Sequence, residues 1–237
     1  MCFFNSALGR YYSLHSFLVF GLWAALAAWW QQQSGDLALS AYFYDTETQQ
    51  FPYALQPFIY AFGKYWIWFL PFAGAAVWLV LAQSQQNITR SLYRRVAGFF
   101  FSAPLLVGGL KQFTAMPRPM HLLEFGGDRI MPSTFWASGF AEGAGALPSV
   151  HATCGFIFMA FYYIGWVRQN TVWRWGGLVL GVVLGLGFGF LRIMQGYHTL
   201  SQVLWAGAVV WLYASLWFLP SLKQAGCISL APRCDHG

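Results

Sequence analysis

A chain of 237 residues with 58% hydrophobic, 20% aromatic and 8% charged positions lies far below the roughly 25% charge of soluble domains, which excludes a soluble fold and leaves too little polar sequence for a separate soluble domain. The formal charge of +6 is then expected to reflect membrane topology, not a nucleic-acid surface. Cys2, Cys154, Cys227 and Cys234 have neither zinc-site nor disulfide-framework spacing, so no metal or cofactor is implied; Cys154 reads as a small buried hydrophobe, and Cys227 and Cys234 as free thiols.

A membrane-crossing helix needs about 20 mostly apolar residues, with about 17 tolerated. The first run that qualifies covers residues 11–30. Ala25-Leu26-Ala27 resembles a signal-cleavage site, but Trp29, Trp30 and the three glutamines after them read better as an interfacial belt, so the run is taken as a span. A loop of residues 31–64 follows, containing Tyr42 to Asp45 and Phe51-Pro52; it reads either as a lid or as an amphipathic interface segment. The second and third runs cover residues 65–82 and 96–110, the third reaching full length only if Lys111 lies within its end.

The fragment Lys111-x6-Arg118-Pro119 leaves the third run, and a long loop containing Phe125-Gly126-Gly127-Asp128 leads to Pro148-Ser149-Val150-His151 at the entrance of the fourth, residues 152–167. The fifth, residues 175–191, carries Gly177, Gly181 and Gly185 at every fourth position, a pattern for close helix packing. It ends at Arg192, and His198, Ser201 and Gln202 lead into the sixth, residues 203–219. The expectation is an all-α polytopic membrane protein. Six transmembrane helices form one bundle and one domain over residues 1–237, with the fragments confined to a core of about 96–220.

With a cytoplasmic N-terminus, the inside segments hold Arg10, Arg90, Arg94, Arg95, Arg168, Arg174, Lys223 and Arg233. The outside segments hold Lys64, Lys111, Arg118, Arg129 and Arg192. This asymmetry predicts that both termini are cytoplasmic and that, in a bacterium, the fragments face the periplasm from the inner membrane. Alternating crossings bring the ends bearing Lys111, Ser149, His151, Arg192, His198 and Gln202 to one face, which chance matches have no reason to do.

Together these residues suit a phosphate ester, whose displacement spreads negative charge over equatorial oxygens and is catalysed by positioning and electrostatics. Lys111, Arg118 and Arg192 supply the field, the arginines through bidentate contacts. Ser149 and the backbone N–H groups at the start of the fourth helix add neutral donors. His198 is the candidate nucleophile, and His151 the acid that protonates the leaving group and then the base that activates water. His121 reads as an ordinary polar residue. Gln202, one turn after His198, orients the imidazole only if its amide oxygen faces the ring, and it brings no charge.

The fragments resemble the three signatures of the type 2 phosphatidic acid phosphatase family, Lys-x6-Arg-Pro, Pro-Ser-Gly-His and Ser-Arg-x5-His-x3-Asp, from Lys111 to Gln202. The resemblance implies a six-helix membrane phosphatase with no metal. It assigns phosphate binding to Lys111, Arg118, Ser149, Arg192 and the Val150 backbone, general acid catalysis to His151, and nucleophilic attack to His198. Val150 stands for the family's Gly, Leu191 for its Ser and Gln202 for its Asp. The last departure leaves three readings open: a slow enzyme, a substitute orienting carboxylate such as Asp128 or Glu142, or a non-catalytic lipid-phosphate binder or transporter. The loop with Phe125-Gly126-Gly127-Asp128 looks similar to bacterial members. There the resemblance implies lipid A or undecaprenyl pyrophosphate as substrate, with phosphotransfer between lipids as a variant of the same chemistry. The bilayer and its lipid phosphates are the expected partners, and no nucleic acid.

Overall fold

The computed structural model describes residues 6–114, 116–132 and 145–228; Cys2, Glu142, Arg233 and Cys234 lie outside them. Among the described residues, six helices are long and apolar enough to cross a membrane: α1 Ala7–Gln32, α3 Pro57–Gln83, α4 Asn87–Phe113, α5 Val150–Val167, α6 Thr171–Met194 and α7 Leu200–Gln224. A shorter helix, α2 Gly35–Tyr42, lies between the first two of these. Each crossing helix extends beyond its apolar run because flanking polar residues continue the winding to the ends. The start of α3 is hidden in sequence by Lys64. Pro57 occupies its first turn, where a missing N–H costs nothing, and Lys64 turns its ammonium onto the Tyr60 hydroxyl at 2.7 Å. Lys111 sits in the tightened last turn of α4, Lys111–Phe113.

The helices are not equivalent. In α5, 72% of the membrane-length segment is buried inside the protein, and in α7 61%, against 11% in α1. Hence α5 and α7 form the centre, and α1, α3, α4 and α6 surround them. Burying apolar surface gives little between helices in lipid, so close packing and hydrogen bonds must hold the bundle together. The glycine stripe of α6 supplies that closeness. A Cβ at Gly181 would stand 2.5 Å from the backbone nitrogen of Met159, and one at Gly185 would stand 2.2 Å from the Phe156 ring. Aromatic stacking fills the centre, with Tyr163 of α5 and Phe218 of α7 at 5.0 Å between centroids and a 13° interplanar angle.

Arg95, Arg168 and Arg174 belong to one end of the bundle. Arg168 donates to Tyr93 at 2.5 Å, Arg174 to Tyr162 at 2.8 Å, and Arg95 to the Trp217 carbonyl at 3.4 Å. The fragments occupy the other end. The segment between α1 and α3 packs down onto that second end. Phe51 is buried against Leu122 and Phe125, and its ring closes over Gly196, where a Cβ would meet it at 2.5 Å. Asp36 of α2 is buried at the start of α7. The segment is a packed cap on the motif end.

Candidate functional site

Three connections at that end, α1 to α3, α4 to α5 and α6 to α7, position the polar side chains. After α4, Thr114 and Arg118 are extended, and Arg118 leads into a short turn, Pro119–His121, whose Met120 N–H donates to the Gly196 carbonyl at 3.0 Å. This bond ties the first fragment to the third. Ser149 caps α5, its hydroxyl accepting from the Ala152 N–H at 3.3 Å, while its own N–H donates to the Gln202 carbonyl at 3.1 Å. The first N–H groups of α5, at Val150 and His151, have no acceptor within the helix. They form the positive end of its dipole. The Val150 side chain is buried in the apolar core, so only its backbone is available to a ligand.

The third fragment is folded around a glycine turn. Gly196 has φ +70°, a conformation that costs glycine little. It brings Tyr197 back so that its N–H donates to the Arg192 carbonyl at 2.9 Å. The Arg192 guanidinium carbon then lies 4.1 Å from the Tyr197 ring centroid, and that of Arg118 lies 5.6 Å from it. One ring therefore takes a guanidinium from each of two fragments, a cation–π arrangement that offsets part of their repulsion. Arg192 also donates to the Gln195 amide oxygen at 2.6 Å.

His198 is 2% exposed, and its ring centroid is 5.7 Å from that of His151. Its Nδ1 lies 3.0 Å from the Gln202 amide oxygen. The orientation of that amide follows from its other partners. The same oxygen accepts from the Thr199 N–H at 3.2 Å, and the amide nitrogen donates to the Pro117 carbonyl at 3.1 Å. Flipping it would set nitrogen against an N–H and oxygen against a carbonyl, two repulsive pairs. Nδ1 of His198 is consequently the protonated nitrogen, and Nε2 carries the free lone pair. Burial first, and then the positive charge of His151, Lys111 and Arg192, hold the His198 imidazole well below its usual pKa, while the Gln202 hydrogen bond opposes the shift.

Positive charge dominates the space around the two imidazoles. The charges of Arg118 and Arg192 act on Lys111, and all three cations act on His151. Three buried polar atoms here have no hydrogen-bond partner among the described residues: Nε of Arg192, Nε2 of Gln195 and Nδ1 of His151. Buried polar groups are rarely left unpaired, and two of the three residues, Arg192 and Gln195, are in direct contact, so the three mark a place where a ligand completes the bonding. Two of them are N–H donors in a cationic setting, which suits an anion. Among the described residues, no three His, Cys, Asp or Glu side chains converge as a metal site would require.

Lys111, Arg118, Ser149, His151, Arg192, His198 and Gln202 thus come together. Asp128 does not join them. It is exposed on the loop beside His121, whose own pKa is lowered by burial and by Arg118 and Arg129 and raised by Asp128. Further residues belong to the arrangement without having been singled out by sequence. Gln195 and Tyr197 sit inside the third fragment, where their neighbours alone could have flagged them. Asp36 had no local signal. Its carboxylate is 2% exposed, accepts the Ser201 N–H at 3.0 Å and also binds the Ser201 hydroxyl, 165 positions away in sequence. Thr199 connects to Ser201 at 3.1 Å and caps α7 together with Gln202. A continuous chain of hydrogen bonds therefore runs from Asp36 through Ser201, Thr199 and Gln202 to His198.

Residues 92–224 match the PAP2 superfamily. The chain belongs to the PAP2 superfamily. A curated relative, the lipid A 4'-phosphatase of Francisella tularensis subsp. novicida (strain U112), is 28% identical over 195 residues, covering 79% of this chain and 85% of its own length. No solved structure matches the chain significantly. The PAP2 match begins within α4 and ends with α7, so it contains all three fragments but not α1 to α3. Those outer elements supply contacts the PAP2 core lacks, among them Asp36 on α7, Phe51 on Gly196 and Trp68, whose ring is 6.1 Å from that of His151.

Proposed function

We propose that this PAP2 protein is a lipid phosphatase acting on a phosphomonoester or pyrophosphate head group at the periplasmic face of a bacterial inner membrane, with lipid A as the preferred substrate. The observation that carries the reading is the pinned Gln202 amide. It holds the proton on Nδ1 of His198 and leaves Nε2 as a nucleophile beside His151 and three cations.

In the proposed reaction, Lys111, Arg118, Arg192, the Ser149 hydroxyl and the first N–H groups of α5 hold the phosphate oxygens. The His198 Nε2 lone pair attacks phosphorus in line, forming an N–P bond as the ester P–O bond breaks. His151 gives a proton to the departing oxygen. Water then attacks phosphorus, His151 takes a proton from it, and the N–P bond breaks to release phosphate and restore both histidines. The three cations supply the charge stabilisation that a metal gives elsewhere.

The preference for lipid A rests on the relative's activity together with the shared family. A panel of lipid A, phosphatidic acid, phosphatidylglycerol phosphate and undecaprenyl pyrophosphate, assayed for phosphate release in the presence of EDTA, tests the whole reading. Lipid A is expected to be hydrolysed fastest, and His198→Ala to lose about 10³-fold or more in kcat, as removal of a nucleophile does. No release from any of the four would sink the reading. The neutral character of Gln202 favours one alternative, a lipid-phosphate binder without turnover; in that case binding persists, unaffected by His198→Ala.

A further inference from the structure

We propose that a groove between α1, α4 and α7 holds an acyl chain of the substrate lipid while its phosphate is at the histidines; this rests on the phosphatase reading above. The groove encloses about 550 Å³, within the range of small-molecule sites. Phe20 of α1, Leu106 and Leu110 of α4, and Val209 and Leu212 of α7 form its walls.

Two of its polar side chains, Thr114 and Tyr213, are turned to other partners. The Thr114 hydroxyl donates to the Leu147 carbonyl at 2.7 Å, leaving its methyl group to the groove. The Tyr213 hydroxyl is paired with Ser102 at 2.7 Å, so Tyr213 offers its ring. A cavity lined this way stays dry and favours hydrocarbon.

Position identifies which hydrocarbon. One end of the groove is closed by Thr114 and Pro148. Thr114 lies three residues after Lys111, and Pro148 immediately precedes Ser149, so the groove's end wall and the phosphate-binding groups share the same two stretches of backbone. Along the side, Leu106, Leu110 and Leu216 are 38%, 37% and 44% exposed, which leaves the groove open laterally at membrane depth. A chain can enter from the bilayer without crossing polar surface, and its head group then arrives at Ser149. Bulk lipid would find the same hydrocarbon wall but has no phosphomonoester to bind the cations, so the substrate's own chain is the favoured occupant.

Two measurements decide the matter. In the first, Val209→Phe narrows the groove, and kcat/KM is compared for lipid A and for chain-free p-nitrophenyl phosphate. The ratio of the two is expected to fall about tenfold, the equivalent of roughly two methylenes displaced from apolar surroundings. In the second, wild-type protein is irradiated with lipid A carrying a diazirine in one acyl chain. Labelling is expected on the groove faces of α4 and α7, displaced by excess lipid A and not by phosphatidylethanolamine vesicles. An unchanged ratio, label placed elsewhere, or displacement by phosphatidylethanolamine overturns the proposal. If the wild type hydrolyses neither ester, the phosphatase reading fails, and the labelling pattern alone still upholds or overturns the groove. The labelling also stands if Val209→Phe does not fold.

Discussion

At the scale of single residues, the decisive contact is between an imidazole and an amide. Gln202 reproduces the geometry of an orienting carboxylate, since its oxygen faces Nδ1 of His198 at 3.0 Å, but it contributes no negative charge to the imidazolium that the proposed attack by His198 would form. In a serine protease, a related exchange, Asp for the shorter amide Asn, costs about 10⁴ in rate, largely because the wrong tautomer is held. Here the Pro117 and Thr199 contacts prevent that error, so the remaining deficit is electrostatic. Gln202→Asp is expected to raise kcat on a lipid phosphate by about tenfold or more, which steady-state phosphate release measures. The sign of its pH effect also follows. His198 is held below the usual imidazole range by burial and by surrounding positive charge, so the acidic limb of kcat/KM in the wild type should lie at pH below about 6.5. A carboxylate at position 202 favours the protonated ring, so the acidic limb should move to higher pH. A limb that stays in place would mean that Gln202 does not act on the titrating group.

Between elements, the notable junctions are those that join the outer helices to the matched core. Asp36 is the only acidic side chain that the described hydrogen bonds place on the His198 network. Burial raises its pKa, and the Ser201 bonds pull in the opposite direction. Asp36→Ala leaves the Ser201 N–H and hydroxyl without their acceptor at the start of α7. The expected cost is about 1–3 kcal/mol of stability, readable as a lower unfolding temperature in detergent. A fall in kcat at unchanged KM should accompany it, because the change reaches Nδ1 of His198 and not the phosphate-binding side chains. Where it meets α5, the glycine stripe of α6 has no room for a side chain. Gly185→Leu drives atoms into the Phe156 ring, and a destabilisation of about 1–3 kcal/mol or more is expected from such overpacking, seen in the same melting experiment.

Across the whole molecule, the six crossings and their order are legible in sequence because hydrocarbon demands long apolar runs, and alternation alone then brings Lys111, Ser149, Arg192 and His198 to one end. What was not legible has physical causes that local patterns do not carry. Pro57 rather than residue 65 opens α3 because Lys64 can keep its stem in the helix and turn its charge to Tyr60. Asp36 meets Ser201 across 165 positions through a cap that neither periodicity nor a signature marks. The direction of the Gln202 amide depends on a carbonyl at Pro117, which only the folded loop brings within reach. The cap of residues 33–56, within the 31–64 stretch readable as a lid or an interface segment, packs through Phe51 and Asp36 because its apolar and acidic side chains find partners on the loop below and at the start of α7.

The unpaired donors at Arg192 and Gln195 have a consequence for turnover. They are complementary to phosphate itself and cannot distinguish an arriving head group from the inorganic ion left behind. The cations that draw substrate in must also slow the ion's departure, so the protein should be subject to product inhibition. Added inorganic phosphate is expected to raise the apparent KM for lipid A and leave kcat unchanged, in proportion to its concentration. The rate at which such a protein clears its membrane would then follow the phosphate content of the compartment it faces.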